Sequence, residues 1–245
     1  MKHRIDWWRS KGFDVGSESI VADVGAGSGR NAIALSPYVG KIIAIDANQS
    51  VLPPDDMPEN VTWVSAELPD HVVDTIQVDF LLCANVLEHV EPVRMLDFVR
   101  ACRRMLKPGG GAFFSWASLY SNVGSHTASQ IDDWSHLLNW QDADQWRSLL
   151  TSRFGEEFSN RWFRHEWRPG LSRSEWLALR ESHTSLGDAA VILARVFEPV
   201  RHNMVCDDDS KLWTHCLRHE LFEIAPSYHD LVCTSDTWLV RKERR

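Results

Sequence analysis

Val21-Ala22-Asp23-Val24-Gly25-Ala26-Gly27-Ser28-Gly29-Arg30 is the stretch whose reading decides the fold. Ile20 to Val24 is a short β-branched run of the kind that forms a buried strand. Glycines follow at alternate positions, Gly25, Gly27 and Gly29, and Asn31-Ala32-Ile33-Ala34-Leu35 reads as the first turns of a helix. Strand, glycine turn and helix together place bare backbone at the carboxyl edge of a sheet. Without Cβ atoms, such a turn lets a ligand approach the main chain closely.

Outward from this turn, hydrophobic runs alternate with helical patterns. Residues 1–15 suit a leading helix, with Trp7 and Trp8 as packing anchors. Lys41-Ile42-Ile43-Ala44-Ile45-Asp46 reads as a second strand ending in an acid. In a parallel sheet Asp46 stands beside the first strand's tip, where a carboxylate can accept both hydroxyls of a ribose; an ordinary strand-end acid is the plainer reading. Three prolines between Val51 and Pro58 exclude a long helix there. Val61-Thr62-Trp63-Val64 and Val78 to Ala84 read as third and fourth strands. Pro92 opens a helix with an apolar stripe of Val93, Leu96, Val99, Cys102 and Leu106. Lys107-Pro108-Gly109-Gly110 stops it, and Gly111 to Trp116 reads as a fifth strand. This alternation predicts a parallel, doubly wound sheet.

Composition sets the bounds. The 245 residues suit one large domain or a domain with a cap, and 44% are hydrophobic, enough for a sizeable core. The formal net charge of −8 argues against a broad cationic surface, so no nucleic-acid partner is expected. No apolar run is long enough to span a membrane, and the charged, aromatic start does not resemble a signal peptide. The five cysteines are scattered with no C-x-x-C pair, which argues against a disulfide framework or zinc knuckle and for reduced thiols in a cytoplasmic protein.

A dinucleotide fingerprint would need G-x-G-x-x-G, and Arg30 stands where its third glycine falls. The pattern here is acidic-x-G-x-G-x-G, which resembles the first motif of class I S-adenosylmethionine-dependent methyltransferases. The resemblance covers residues 15–118. It includes the strand-end Asp46, the run Asp79-Phe80-Leu81-Leu82-Cys83-Ala84-Asn85-Val86-Leu87-Glu88-His89-Val90 and the Leu106-Lys107-Pro108-Gly109-Gly110 turn. It implies an α/β fold: a doubly wound, three-layer Rossmann-like sheet, mostly parallel with an antiparallel last strand, plus a helical insertion. It implies S-adenosyl-L-methionine as cofactor, held by Asp23, Gly25, Ala26, Gly27, Arg30, Asp46, Ala47, Ala66, Glu67, Leu68, Ala84 and Asn85. Glu67 stands where the family more often has an aspartate that meets the adenine amino group.

The family's sheet ends in an antiparallel pair. Glu157 to Phe163 is expected as strand six, Thr237 to Lys242 as strand seven, and Asp142 to Arg153 as the preceding helix. The core then comprises residues 1–164 and 233–245, with 165–232 a helical cap inserted between the last two strands. Ser174 to Ser182, Gly187 to Phe197 and Ser210 to Ile224 all look helical within it. A dimerisation element is the other reading of the insertion.

A hydroxyl acceptor needs help losing its proton, whereas an amine need only be neutral when it attacks. The catalytic candidates are therefore His89, directly after strand four, and His136, in Asp132-Asp133-Trp134-Ser135-His136, after strand five. Both can equally be structural. Some ubiquinone-pathway O-methyltransferases and small-RNA ribose methyltransferases bind a divalent metal through E-x-x-E-H and a later histidine. Glu88, His89 and His136 resemble the last three of those ligands, but Asn85 replaces the first glutamate, so the site is read as holding no metal. Trp116, Trp134 and Trp140 suit an aromatic wall for a small molecule. The sequence thus points to methyl transfer onto a small-molecule acceptor, at oxygen, by a monomer or homodimer. N-methylation of an amino sugar or peptide and a non-catalytic donor-binding scaffold are the alternatives.

Overall fold

The computed structural model describes residues 1–47, 57–116, 147–148, 151–152, 155–157, 159–160, 186–206 and 233–243. Its elements are α1 (Lys2–Ser10), β1 (Ile20–Val24), α2 (Arg30–Leu35), β2 (Lys41–Asp46), β3 (Val61–Ser65), β4 (Val78–Ala84), α3 (Pro92–Met105), β5 (Leu106–Trp116), α4 (Leu186–Val196), β6 (Glu198–Cys206) and β7 (Cys233–Arg241). Among the described residues seven strands form one sheet, in the order β3-β2-β1-β4-β5-β7-β6. β1 pairs in parallel with β2 on one side and β4 on the other. The chain order reverses between those neighbours, which makes the carboxyl end of β1 the switch point where such sheets bind ligands. β5 runs parallel to β4 and antiparallel to β7, with Phe114 opposite Trp238. The expected doubly wound, mostly parallel sheet with an antiparallel last strand is the one observed.

Val21, Ala22 and Val24 of β1, with Phe80 to Cys83 of β4, are buried on both faces, so these strands read as continuous apolar runs rather than alternating ones. Asp79 ties down the opposite edge. Its carboxylate accepts the Ile20 amide at 2.8 Å and pairs with Lys107 at 2.7 Å.

α1 ends at Ser10 rather than running to residue 15, because Gly12 adopts φ +82°. The chain then turns Phe13 onto Phe80, ring centroids 5.6 Å apart. Trp8 is fully buried, 4.6 Å from Phe80 and 5.8 Å from Phe113; Trp7 meets Phe113 edge-on at 6.3 Å.

Two expectations are corrected. The buried face of α3 is Met95, Phe98, Val99, Cys102 and Met105, whereas Val93 is 87% exposed. The run of three-residue steps from Val93 to Cys102 drifts around a helix of 3.6 residues per turn, so the real stripe mixes steps of three and four. Strand six is Glu198–Cys206, not Glu157 to Phe163. Glu156, Glu157, Ser159 and Asn160 are helical, following Gly155 at φ +86°. β6 escapes a hydrophobic pattern search because it is the sheet's edge: Pro199 and exposed Arg201 and His202 are tolerated where one side needs no ladder partner.

The chain divides into two compact units. The first is Met1–Trp116, Leu186–Met204 and Ser235–Arg245; the second is Ala117–Ser185 and Val205–Thr234. The stretch 165–232, expected as cap, therefore contributes α4 and most of β6 to the first unit, where α4 packs on α3. In the second unit, Arg147, Ser148, Thr151 and Ser152 are helical, within the helix expected over Asp142 to Arg153. The helices expected at Ser174 to Ser182 and Ser210 to Ile224 lie outside the described residues. Cys83 and Cys102 are free thiols in the core, and burial pushes both far above the usual thiol range. No helix among the described residues is long and apolar enough to cross a membrane.

Candidate active site

The carboxyl ends of β1 and β2, the turn after β3, the turn after β4 and the start of α3 line a cleft of about 310 Å³. Val24 and Gly25 form its floor at β1, and Ile45 and Ala47 contribute from the end of β2. Ala66, Glu67 and Leu68 follow β3. The remaining wall is Val86, His89, Val90 and Glu91, then Arg94 and Phe98 on α3.

The glycines of the turn have separate reasons. All three have positive φ, at +71° for Gly25, +53° for Gly27 and +76° for Gly29. A Cβ on Gly25 would lie 2.2 Å from Val86 Cγ2, so this glycine admits the wall of the cleft. A Cβ on Gly27 would meet nothing within 4 Å. Open space beside a positive-φ glycine is where a ligand can reach backbone. The turn is tied to β2, since the Gly25 and Ala26 amides donate to the Ile45 carbonyl at 2.8 and 3.0 Å. The Gly27 amide donates to Asp46 Oδ2 at 2.7 Å. Asp46 is thereby fixed at the rim of the turn.

Asp23 lies beneath. It is 1% exposed, and neither carboxylate oxygen has a hydrogen-bond partner among the described residues. Burial, reinforced by the Asp46 charge, pushes its carboxyl from the ordinary 3.8 to about 7; the nearby Ala32 amide opposes this without reaching hydrogen-bonding geometry. A buried carboxyl of this kind can take a cation as a partner.

Across the cleft, Arg94 Nη1 forms an ion pair with Glu67 Oε1, and Nη2 donates weakly to the Leu68 carbonyl at 3.4 Å. Beyond β4, Asn85 has φ +58°, a left-handed conformation that asparagine tolerates, and its amide donates to the Ser115 carbonyl at 2.7 Å. A 3₁₀ turn over Leu87–His89 then buries Glu88 and leaves His89 exposed on the cleft.

Of the residues singled out from sequence, Gly25, Ala47, Ala66, Glu67, Leu68 and His89 line the cleft. Gly27 and Asp46 are hydrogen-bonded to each other, Asp46 standing in sequence between the lining residues Ile45 and Ala47; Asp23 and Ala26 are buried; Ala84 ends β4 and Asn85 follows it. Arg30 opens α2 as an exposed side chain and does not line the cleft. His136 lies outside the described residues, as do Trp134 and Trp140. No group of three or more histidine, cysteine, aspartate or glutamate side chains is arranged to hold a metal among the described residues. Val86, Val90, Arg94 and Phe98 were not anticipated. Arg94 and Phe98 stand four residues apart in α3, a spacing that puts them on one helix face.

Sheet order, switch point and glycine turn together define the Rossmann-like methyltransferase architecture. Residues 21–110 match the family described as a methyltransferase domain. The ubiquinone biosynthesis O-methyltransferase of Coxiella burnetii is 26% identical over 143 residues, covering 51% of this chain and 60% of that protein. The protein of the same name from Pseudomonas syringae pv. tomato is 30% identical over 118 residues, 46% of this chain and 49% of that one. The chain thus spans about half to three fifths of the length of these curated relatives. Among solved structures, the N-methyltransferase NodS from Bradyrhizobium japonicum WM9, in complex with S-adenosyl-L-homocysteine, superposes with a TM-score of 0.52. It is 13% identical, with 98% of this chain and 86% of that one covered, a likeness of fold alone. Residues 21–110 thus carry a methyltransferase domain, set on the sheet order seen in S-adenosylmethionine-dependent methyltransferases.

Proposed function

We propose that the chain transfers the methyl group of S-adenosyl-L-methionine to a hydroxyl of a small-molecule acceptor. The observation that carries this reading is the cleft at the switch point, where Gly27 leaves open space beside the fixed carboxylate of Asp46. The donor, when bound, supplies a methyl group already activated on a sulfonium. The residues present fit it. Asp46 is oriented by the Gly27 amide to receive ribose hydroxyls, the buried Asp23 favours a cationic ligand, and Glu67 stands at the rim for the base. The protein's remaining task is to align the acceptor and exclude water. The names of the curated relatives support oxygen as the methylated atom.

His89 and His136 are the proposed bases for the acceptor hydroxyl, and Trp134 and Trp140 the proposed aromatic wall for the acceptor. The test is transfer of labelled methyl over a panel of hydroxylated aromatic and amine acceptors. Methyl on oxygen is expected, and His136→Ala should lower turnover by about 10²–10⁴-fold with donor affinity nearly intact. Methyl found on nitrogen contradicts the oxygen assignment. Activity lost with chelator and restored by divalent ion assigns Glu88, His89 and His136 to a metal instead.

A further inference from the structure

We infer that Arg94 is a positioning residue that sets selectivity for the donor's base, by pinning the Glu67 carboxylate at the rim of the cleft. The inference rests on the proposed reading that this cleft holds the donor. Glu67 sits between Ala66 and Leu68, both buried, so its backbone is fixed while its side chain is largely exposed. Left alone, such a side chain samples many rotamers and presents no defined acceptor. Arg94 reaches across from α3, pairing with Glu67 Oε1 through Nη1 and meeting the Leu68 carbonyl through Nη2. The guanidinium thus clamps both the side chain of Glu67 and the backbone just after it. Oε2 remains without a partner among the described residues, and a carboxylate oxygen is acceptor-only.

A pinned acceptor at the rim favours a base that carries an exocyclic amine over one that carries a carbonyl there. The amine donates to Oε2, whereas a carbonyl brings oxygen against a carboxylate held in place. Exposed ion pairs contribute little to folding, so the pair's effect belongs to binding. Arg94 lines the cleft together with Val90, which precedes α3, and Phe98, one turn further along it, so its aliphatic stem shares the wall with two apolar residues.

The test compares calorimetric affinities for S-adenosylhomocysteine and S-inosylhomocysteine, which carry an amine and a carbonyl at that position, the second with a proton on the neighbouring ring nitrogen. The wild-type chain should prefer the adenosyl compound by about tenfold or more, the effect of one charge-assisted hydrogen bond. Arg94→Ala should shrink that ratio to within about threefold, Arg94→Lys should restore part of it, and Glu67→Gln should shrink it as Arg94→Ala does. Melting temperatures should stay at the wild-type value in all three variants. A wild-type selectivity ratio in folded Arg94→Ala overturns the inference, whatever its absolute affinity. Failure of the wild-type chain to bind either compound overturns the donor reading itself, and the inference with it.

Discussion

Asp23 is a carboxyl buried under the glycine turn, with both oxygens unpaired among the described residues and its pKa raised to about 7. Its folded pKa exceeds the ordinary value of 3.8, so ionisation favours the unfolded chain. Below pH 4 both states hold the proton and the penalty is absent. It grows as pH rises through 7, then levels off. Asp23→Asn removes the titration while keeping the shape. The melting temperature of the variant relative to wild type should therefore climb between about pH 4 and pH 7 in ligand-free protein. A pH-independent difference contradicts the buried-acid account. Asp23, Asp46 and the glycines were legible because an acid and a tight turn at strand ends follow from spacing along one chain. Arg94 was not legible, since its partner Glu67 lies 27 residues away and only the fold brings them together.

The turns after β1 and β4 act as one element, with Val86 resting where a Gly25 side chain would be. Gly25→Ala should destabilise by more than the roughly 1–2 kcal/mol that a left-handed non-glycine residue costs, because the methyl also clashes with Val86. Val86→Ala in that background should recover stability, although alone it destabilises. Thermal melts of the four proteins measure this coupling, and simple additivity contradicts the contact. Legibility at this scale divides by burial. β1, β2 and β4 are two-face-buried runs, and their bounds read from sequence match those observed. The edge strand β6 carries Pro199, Arg201 and His202, and its place is set by the sheet rather than by its own pattern. The α3 stripe was misread at Val93 because helix phase needs steps of both three and four.

For the whole molecule, the first unit collects the sheet from three separate stretches of chain, closing with β7 against β5. The parallel half was legible because each strand is followed by its own crossover. The return of α4 and β6 to this unit was not, because a contact between distant segments leaves no local pattern. The claim that binds these scales together is that open backbone at Gly27 makes room for S-adenosylmethionine. Calorimetric titration with S-adenosylhomocysteine, on wild type and on Gly27→Val, tests it most directly. The account predicts saturable binding to the wild-type chain at one site. In the variant it predicts affinity at least tenfold weaker, about 1.4 kcal/mol, with a folded core by melting and circular dichroism. Equal affinity in a folded Gly27→Val protein, or no binding to the wild type, would contradict it.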